Sequence, residues 1–110
     1  MNIKDYQSLA ENFKVLSHPI RLQMLDELRK QPCCVCHLQT LTHKPQAYVS
    51  QQLRVLREAG VVDEEKDGQF VYYRLCDQKV KALLTEALGP VTTLCFLDGC
   101  PCPKCARENQ

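Results

Sequence analysis

Eight cysteines stand in a chain of 110 residues, and six of them fall in two short runs. The first is Cys33-Cys34-Val35-Cys36 and the second is Cys100-Pro-Cys102-Pro-Lys-Cys105, with Cys95 and Cys76 outside them. Sulfur at this spacing has three uses: a disulfide framework, a redox pair or a soft-metal site. The amino terminus lacks an apolar signal core and no stretch approaches the ~18 apolar residues of a membrane span, so a cytoplasmic location is expected. In a reducing compartment clustered cysteines point to metal ligands first and redox-active thiols second. Thiolates select zinc, cadmium, lead, copper(I) or iron–sulfur clusters over hard ions.

Geometry restricts the first run. In a regular helix Cys34 and Cys36 would lie about 200° apart and could not share an ion. Cys33 and Cys36 would share a face, with His37 one turn from Cys33. Behind Pro32 the backbone need not be regular, so Cys33, Cys34 and Cys36 can all converge at a helix start. His37 reads as a polar surface residue, with a ligand role second. In the second run, the C-x-C and C-x-x-C spacings suit a metal loop, whose prolines reduce the entropy of closing it. Cys95 is the candidate fourth ligand beside Cys100, Cys102 and Cys105, for a structural zinc or an iron–sulfur cluster. The tail cysteines Cys100, Cys102 and Cys105 can instead join Cys34 and Cys36 across a dimer. Cys76, isolated after a strand-like run, reads as a core residue.

The elements that position the first run are helical. Residues 3 to 16 place Ile3, Tyr6, Leu9, Ala10, Phe13 and Leu16 at helical spacing. Ser17-His18-Pro19 stops that helix and starts another reaching about Lys30, striped by Ile20, Met24 and Leu28 and flanked by Leu22 and Leu25. His18 is expected to cap or pack there. Past Pro32 a short helix is expected from Val35 to Leu41, then a turn at Thr42-His43-Lys44. Pro45 opens a helix reaching Ala59, with Val49, Leu53 and Leu56 inward, and Gly60 closes it. Strand-like runs, Val61 to Glu65 and Gln69 to Leu75, flank Lys66-Asp67-Gly68, a strong hairpin signal. From Asp77 a last helix carries Val80, Leu83, Leu84, Ala87 and Leu88.

Two helices across a short turn, followed by a hairpin, predict a mainly α winged helix-turn-helix. Residues 1–97 form the expected DNA-binding and dimerisation domain, and residues 98–110 a cysteine-rich tail. The terminal helices carry more apolar surface than a small core needs, which predicts a homodimer through them. The formal net charge is only +1, so nucleic-acid binding must come from local arrangement. The second helix of the pair offers Gln46, Tyr48, Ser50, Gln51, Gln52 and Arg54. Gln suits adenine edges and Arg suits guanine or phosphate. Lys66 and Arg74 would add wing contacts to double-stranded DNA.

Enzyme classes fit poorly. No cysteine has an arginine six residues later, as a phosphatase-like arsenate reductase requires. The C-x-x-C of Cys33 and Cys36 follows a helix rather than the strand of a thioredoxin-like fold. A zinc-stabilised adaptor is a further class.

Cys34-Val35-Cys36-His37-Leu38, then Val49-Ser50-Gln51-Gln52-Leu53-Arg54-Val55-Leu56-Arg57-Glu58-Ala59-Gly60, then Gly68-Gln69-Phe70-Val71-Tyr72-Tyr73-Arg74-Leu75, resemble the ArsR/SmtB family of metal-sensing repressors. Leu16-Ser17-His18-Pro19-Ile20-Arg21-Leu22 is similar to the family's junction between its first two helices. The match covers roughly residues 5 to 88. The resemblance implies a homodimeric repressor that binds a palindromic operator and releases it when inducer binds. It places Gln46, Tyr48, Ser50, Gln51, Gln52 and Arg54 at recognition-helix positions, and adds arsenite and antimonite to cadmium, lead and zinc as candidate ions. The family's arsenic sensors carry a third cysteine where this chain has Gln39. Its zinc sensors use Asp and His on the last helix, and this chain has no histidine after His43. A redox, persulfide or iron–sulfur sensor on the same fold is the alternative.

Overall fold

The computed structural model describes residues 2–91. Five helices and three strands follow in the order α1 (Ile3–Leu16), α2 (Pro19–Lys30), β1 (Cys33–Cys34), α3 (Val35–Thr42), α4 (Gln46–Glu58), β2 (Val62–Asp67), β3 (Phe70–Leu75) and α5 (Gln78–Leu88). This is a winged helix-turn-helix: α3 and α4 form the helix pair, and the hairpin of β2 and β3 is the wing. Local chemistry sets the boundaries. Asn2 caps α1 in a reciprocal box with Asp5, and Asp77 caps α5 through Lys79 N and Val80 N. His18 caps α2, its Nδ1 accepting from Arg21 N at 3.5 Å, with Pro19 just inside the helix.

Helix α4 ends at a Schellman turn. Gly60, at φ +76°, donates to Arg57 O, and Val61 N donates to Leu56 O, both at 3.0 Å. The wing turns at Gly68-Gln69, since Asp67 pairs with Phe70. Gly68 takes φ +64°, the first loop position, where a type II′ hairpin wants glycine. The predicted strands are thus found with their bounds shifted by one or two residues.

The sheet order is β1-β3-β2, all antiparallel. Strand β1 is the element that helical periodicity did not announce. Cys33 pairs with Tyr73 and Cys34 with Tyr72, so the cysteine run is stitched to the wing strand before it turns into α3.

The main core joins α2, α3, α4, the wing and α5 through Met24, Leu25, Leu28, Leu38, Val49, Leu53, Leu56, Val61, Val80 and Leu84. Each such side chain contributes about 1.5–3 kcal/mol of burial. Helix α1 behaves differently. Only Leu16 of it is buried, while Ile3, Tyr6 and Phe13 are more than half exposed, as is Leu88 on α5. The expected apolar stripe on α1 exists, but the described core leaves most of it uncovered. Among the described residues, no helix is long and apolar enough to cross a membrane.

Candidate metal centre and nucleic-acid interface

The two-residue strand decides where the sulfurs go. Successive side chains of a strand point to opposite faces. Cys33 therefore enters the main core, and Cys34 turns to the other face, packing with Tyr72, Cys36 and Phe70. Cys34 is also the N-cap of α3, in extended conformation (φ −82°, ψ 167°), and its Sγ accepts from His37 N at 3.4 Å. Because Cys34 precedes the helix, the 200° separation of a regular helix does not apply. Its sulfur faces Cys36 Sγ at 2.6 Å. No disulfide joins the described cysteines.

The two sulfurs open onto a cleft of about 350 Å³ lined by Cys34, Val35, Cys36, Gln39, Gln46, Gln69, Phe70 and Val71. Gln46 is the first residue of α4, and Gln69 and Phe70 belong to the wing turn and β3. The cleft thus lies between the sulfur pair and both elements that would read DNA. Gln39, at the position of the family's third sulfur, lines it as well.

Cys33 has different company. Its Sγ, a Glu27 carboxylate oxygen and a His37 ring nitrogen all lie within 4.8 Å of one another. The three residues are 2–3% exposed. His37 Nε2 stands 3.3 Å from Glu27 Oε1, and Cys33 Sγ donates to Gln31 O at 3.3 Å. His37 is therefore not the polar surface residue that its sequence suggested. Packing of α3 on α2 turns it inward, against a carboxylate that the sequence reading missed. The available signal was spacing: Glu27 stands three residues after Met24 on the face that buries Met24, Leu25 and Leu28.

Cys76 also departs from expectation. It is exposed rather than core, although its Sγ lies 3.5 Å from both Gly60 O and Val61 O. Desolvation there raises its thiol pKa, and the Asp63 and Asp77 carboxylates add to the rise. Cys95, Cys100, Cys102 and Cys105 lie outside the described residues.

On α4, Val49, Leu53 and Leu56 face inward as expected, leaving Gln46, Ser50, Gln51 and Arg54 exposed. Tyr48 is half-buried, with Lys44 Nζ 5.5 Å from its ring centroid. Gln52 is half-buried too, and its Oε1 accepts from Arg21 Nε at 2.7 Å. Arg21 also donates to Val15 O at 3.2 Å, so Gln52 ties α4 to the first two helices. Arg54 pairs with Glu58 at 3.2 Å in the open.

In the wing, Lys66 is exposed beside the turn. Arg74 grips Asp63 through Nε at 2.6 Å and through a second nitrogen at 3.2 Å. That hydrogen bond, followed by the charge itself, holds the Asp63 carboxyl below its ordinary range and pushes Arg74 up.

The sequence profile described as bacterial regulatory protein, arsR family, matches residues 18–64, which run from the α2 cap to the first wing strand. An arsenical resistance operon repressor of Bacillus subtilis is 34% identical over 79 residues, 71% of this chain and 75% of that protein. The chain belongs to the ArsR/SmtB family. A transcriptional repressor SmtB homolog of Synechocystis is 37% identical over 86 residues, covering 78% of this chain. The chain spans just under two thirds, 65%, of that relative's length. The homodimeric winged helix-turn-helix DNA-binding domain of Mb0332 from Mycobacterium bovis, titled a possible ArsR-family regulator, superposes with a TM-score of 0.67 at 28% identity. It covers 74% of this chain and 76% of its own. The relatives named here are transcriptional repressors and regulators, not enzymes.

Proposed function

We propose that this chain is a homodimeric, metal(loid)-responsive transcriptional repressor of the cytoplasm. It binds a palindromic operator and releases it when a thiophilic ion binds Cys34 and Cys36. Arsenite or antimonite is the first choice of ion, followed by cadmium, lead and zinc. The observation that carries this reading is the facing sulfur pair, 2.6 Å apart, in a cleft shared with Gln46 and Gln69.

The donor set fits a soft ion. Two sulfurs converge without a hard oxygen donor lining the cleft other than amides, which favours thiophilic ions over magnesium or calcium. The cysteine-rich segment 98–110, together with Cys95, supplies further thiolates to this site or holds its own zinc or iron–sulfur cluster. Gln46, Ser50, Gln51 and Arg54 read base edges, Lys66 and Arg74 contact phosphate, and Tyr48 and Gln52 support them from partly buried positions. The exposed apolar faces of α1 and α5 form the dimer interface, which sets two recognition helices about one DNA turn apart.

Induction is linkage. Drawing Cys34 and Cys36 onto an ion alters the cap of α3 and the start of α4. A coupling of about 1–3 kcal/mol lowers operator affinity roughly 5–150-fold. An operator selected from random duplex DNA should bind the reduced dimer and be released by arsenite, antimonite, cadmium or lead, followed by fluorescence anisotropy. The same sulfur pair also suits oxidation or persulfide formation. Release by oxidant or persulfide, with none of the four ions effective, would replace the metal reading with a redox one.

A further inference from the structure

The alternation of β1 separates the cysteine run into two environments with different chemistry. Cys34 and Cys36 form an all-sulfur pair on an open cleft. Cys33, on the opposite face, meets a carboxylate from α2 and an imidazole from α3 in the core. Three elements thus bring one sulfur, one oxygen and one nitrogen donor to a single buried point. We propose that Glu27, Cys33 and His37 form a separate buried site for one divalent ion of the zinc class, held as a resident structural ion behind the DNA-reading helices.

The distances fit. Ligands on a tetrahedral ion at ~2.0–2.3 Å stand about 3.3–3.8 Å apart. His37 Nε2 and Glu27 Oε1 are already 3.3 Å apart, and no pair in the triad exceeds 4.8 Å. Side-chain rotations of about an ångström close the remainder. A mixed sulfur, nitrogen and oxygen set is borderline in softness, which suits zinc and cobalt(II) rather than a trivalent metalloid. The ion would also neutralise a carboxylate whose desolvation is otherwise met by His37 alone among its described hydrogen bonds.

Burial fixes the role. Donors that are 2–3% exposed exchange an ion only when α2, β1 and α3 part, so the ion enters with folding and stays. It clamps α3 to α2, and so fixes the platform from which α4 projects. This assignment is independent of the inducer site, because it uses neither Cys34 nor Cys36.

The test uses the full chain with Cys34, Cys36, Cys95, Cys100, Cys102 and Cys105 all changed to Ser, produced in medium where cobalt replaces zinc. One Co²⁺ per chain is expected, with visible ligand-field bands and a single-thiolate charge-transfer band. Cys33→Ser should abolish that band. Glu27→Gln should keep the band while weakening the ion roughly 10–100-fold or more in chelator competition. X-ray absorption of the parent variant should show one sulfur among nitrogen and oxygen neighbours, which keeps the test decisive if Cys33→Ser does not fold. Failure to retain Co²⁺, a band that survives Cys33→Ser, or a first shell without sulfur would overturn the assignment. Because this variant lacks the inducer cysteines, neither outcome bears on induction.

Discussion

Replacing His37 with Leu, in protein stripped of metal by chelator, removes the partner of a buried carboxylate without removing much volume. Glu27 is 3% exposed and its described hydrogen bond is to His37 Nε2 at 3.3 Å. Breaking a buried pair by deleting one member costs about 3–5 kcal/mol, and leaving one buried polar group unsatisfied costs about 1–3 kcal/mol. The expected loss lies between, about 2–4 kcal/mol. Changing both residues, Glu27→Leu with His37→Leu, removes the stranded carboxyl and should recover most of that loss, since apolar replacement of a buried pair is often neutral. Urea unfolding at fixed protomer concentration reads the difference. With a slope of about 2 kcal/mol/M, the single variant's midpoint should fall by about 1–2 M at unchanged slope. A single variant within about 0.5 kcal/mol of the parent, or a double variant no more stable than the single, would refute the buried-pair reasoning.

The sensor cysteines should separate from the reader: Cys34→Ser with Cys36→Ser should leave operator affinity within about twofold while removing the roughly 5–150-fold release by arsenite or cadmium. Anisotropy with and without the ion checks both halves, and retained release would move the sensor to the cysteines of residues 95–105. Asp63 titrates below its ordinary 3.8 in the folded protein because of Arg74. A depressed folded value means that the stabilisation is present above the unfolded pKa and is lost as pH falls through the lower folded one, hence in the acid range below about 4. Carboxyl ¹³C shifts should show that low midpoint, and Arg74→Gln should return it towards 3.8; no movement would refute the attribution. Phe13→Glu on the exposed face of α1 should shift the protein from dimer to monomer by analytical ultracentrifugation; an unchanged sedimentation coefficient would place the interface elsewhere.

Periodicity made the helices legible because their cores are one-sided: Val49, Leu53 and Leu56 face inward as their spacing requires, and glycine at positions 60 and 68 marked a helix end and a turn. The wing was legible for the same reason. Strand β1 was not, because two residues carry no period, and its identity comes from pairing with Tyr72 and Tyr73 some forty residues later. That omission bears on Cys33, expected beside Cys34 and Cys36 at an irregular helix start but placed by the strand on the opposite face. Cys76, isolated at the end of a strand-like run, suggests a core residue, but β3 ends at the buried Leu75 and the next side chain is exposed.

Strand β1 also explains how a small change at two sulfurs can reach both halves of the reader. Cys34 is at once a strand residue paired with Tyr72, the cap of α3 through His37 N, and one wall of the cleft that Gln46 and Gln69 share. A ligand that redirects its sulfur competes with the cap, loosening the first turn of α3 by about 0.5–2 kcal/mol on the scale of lost caps. The side chain of His37, in that same first turn, is held against Glu27 in the core, so the inward face of the turn would stay on α2 in the proposed mechanism. On the proposed induction mechanism, α3, held at one face and released at the other, would tilt rather than melt. The helix that tilts leads through His43, in a left-handed conformation at φ 58°, into α4 only three residues on. In the proposed homodimer, a tilt of α3 on each protomer would change the separation of the two recognition helices, the quantity that a palindromic operator measures.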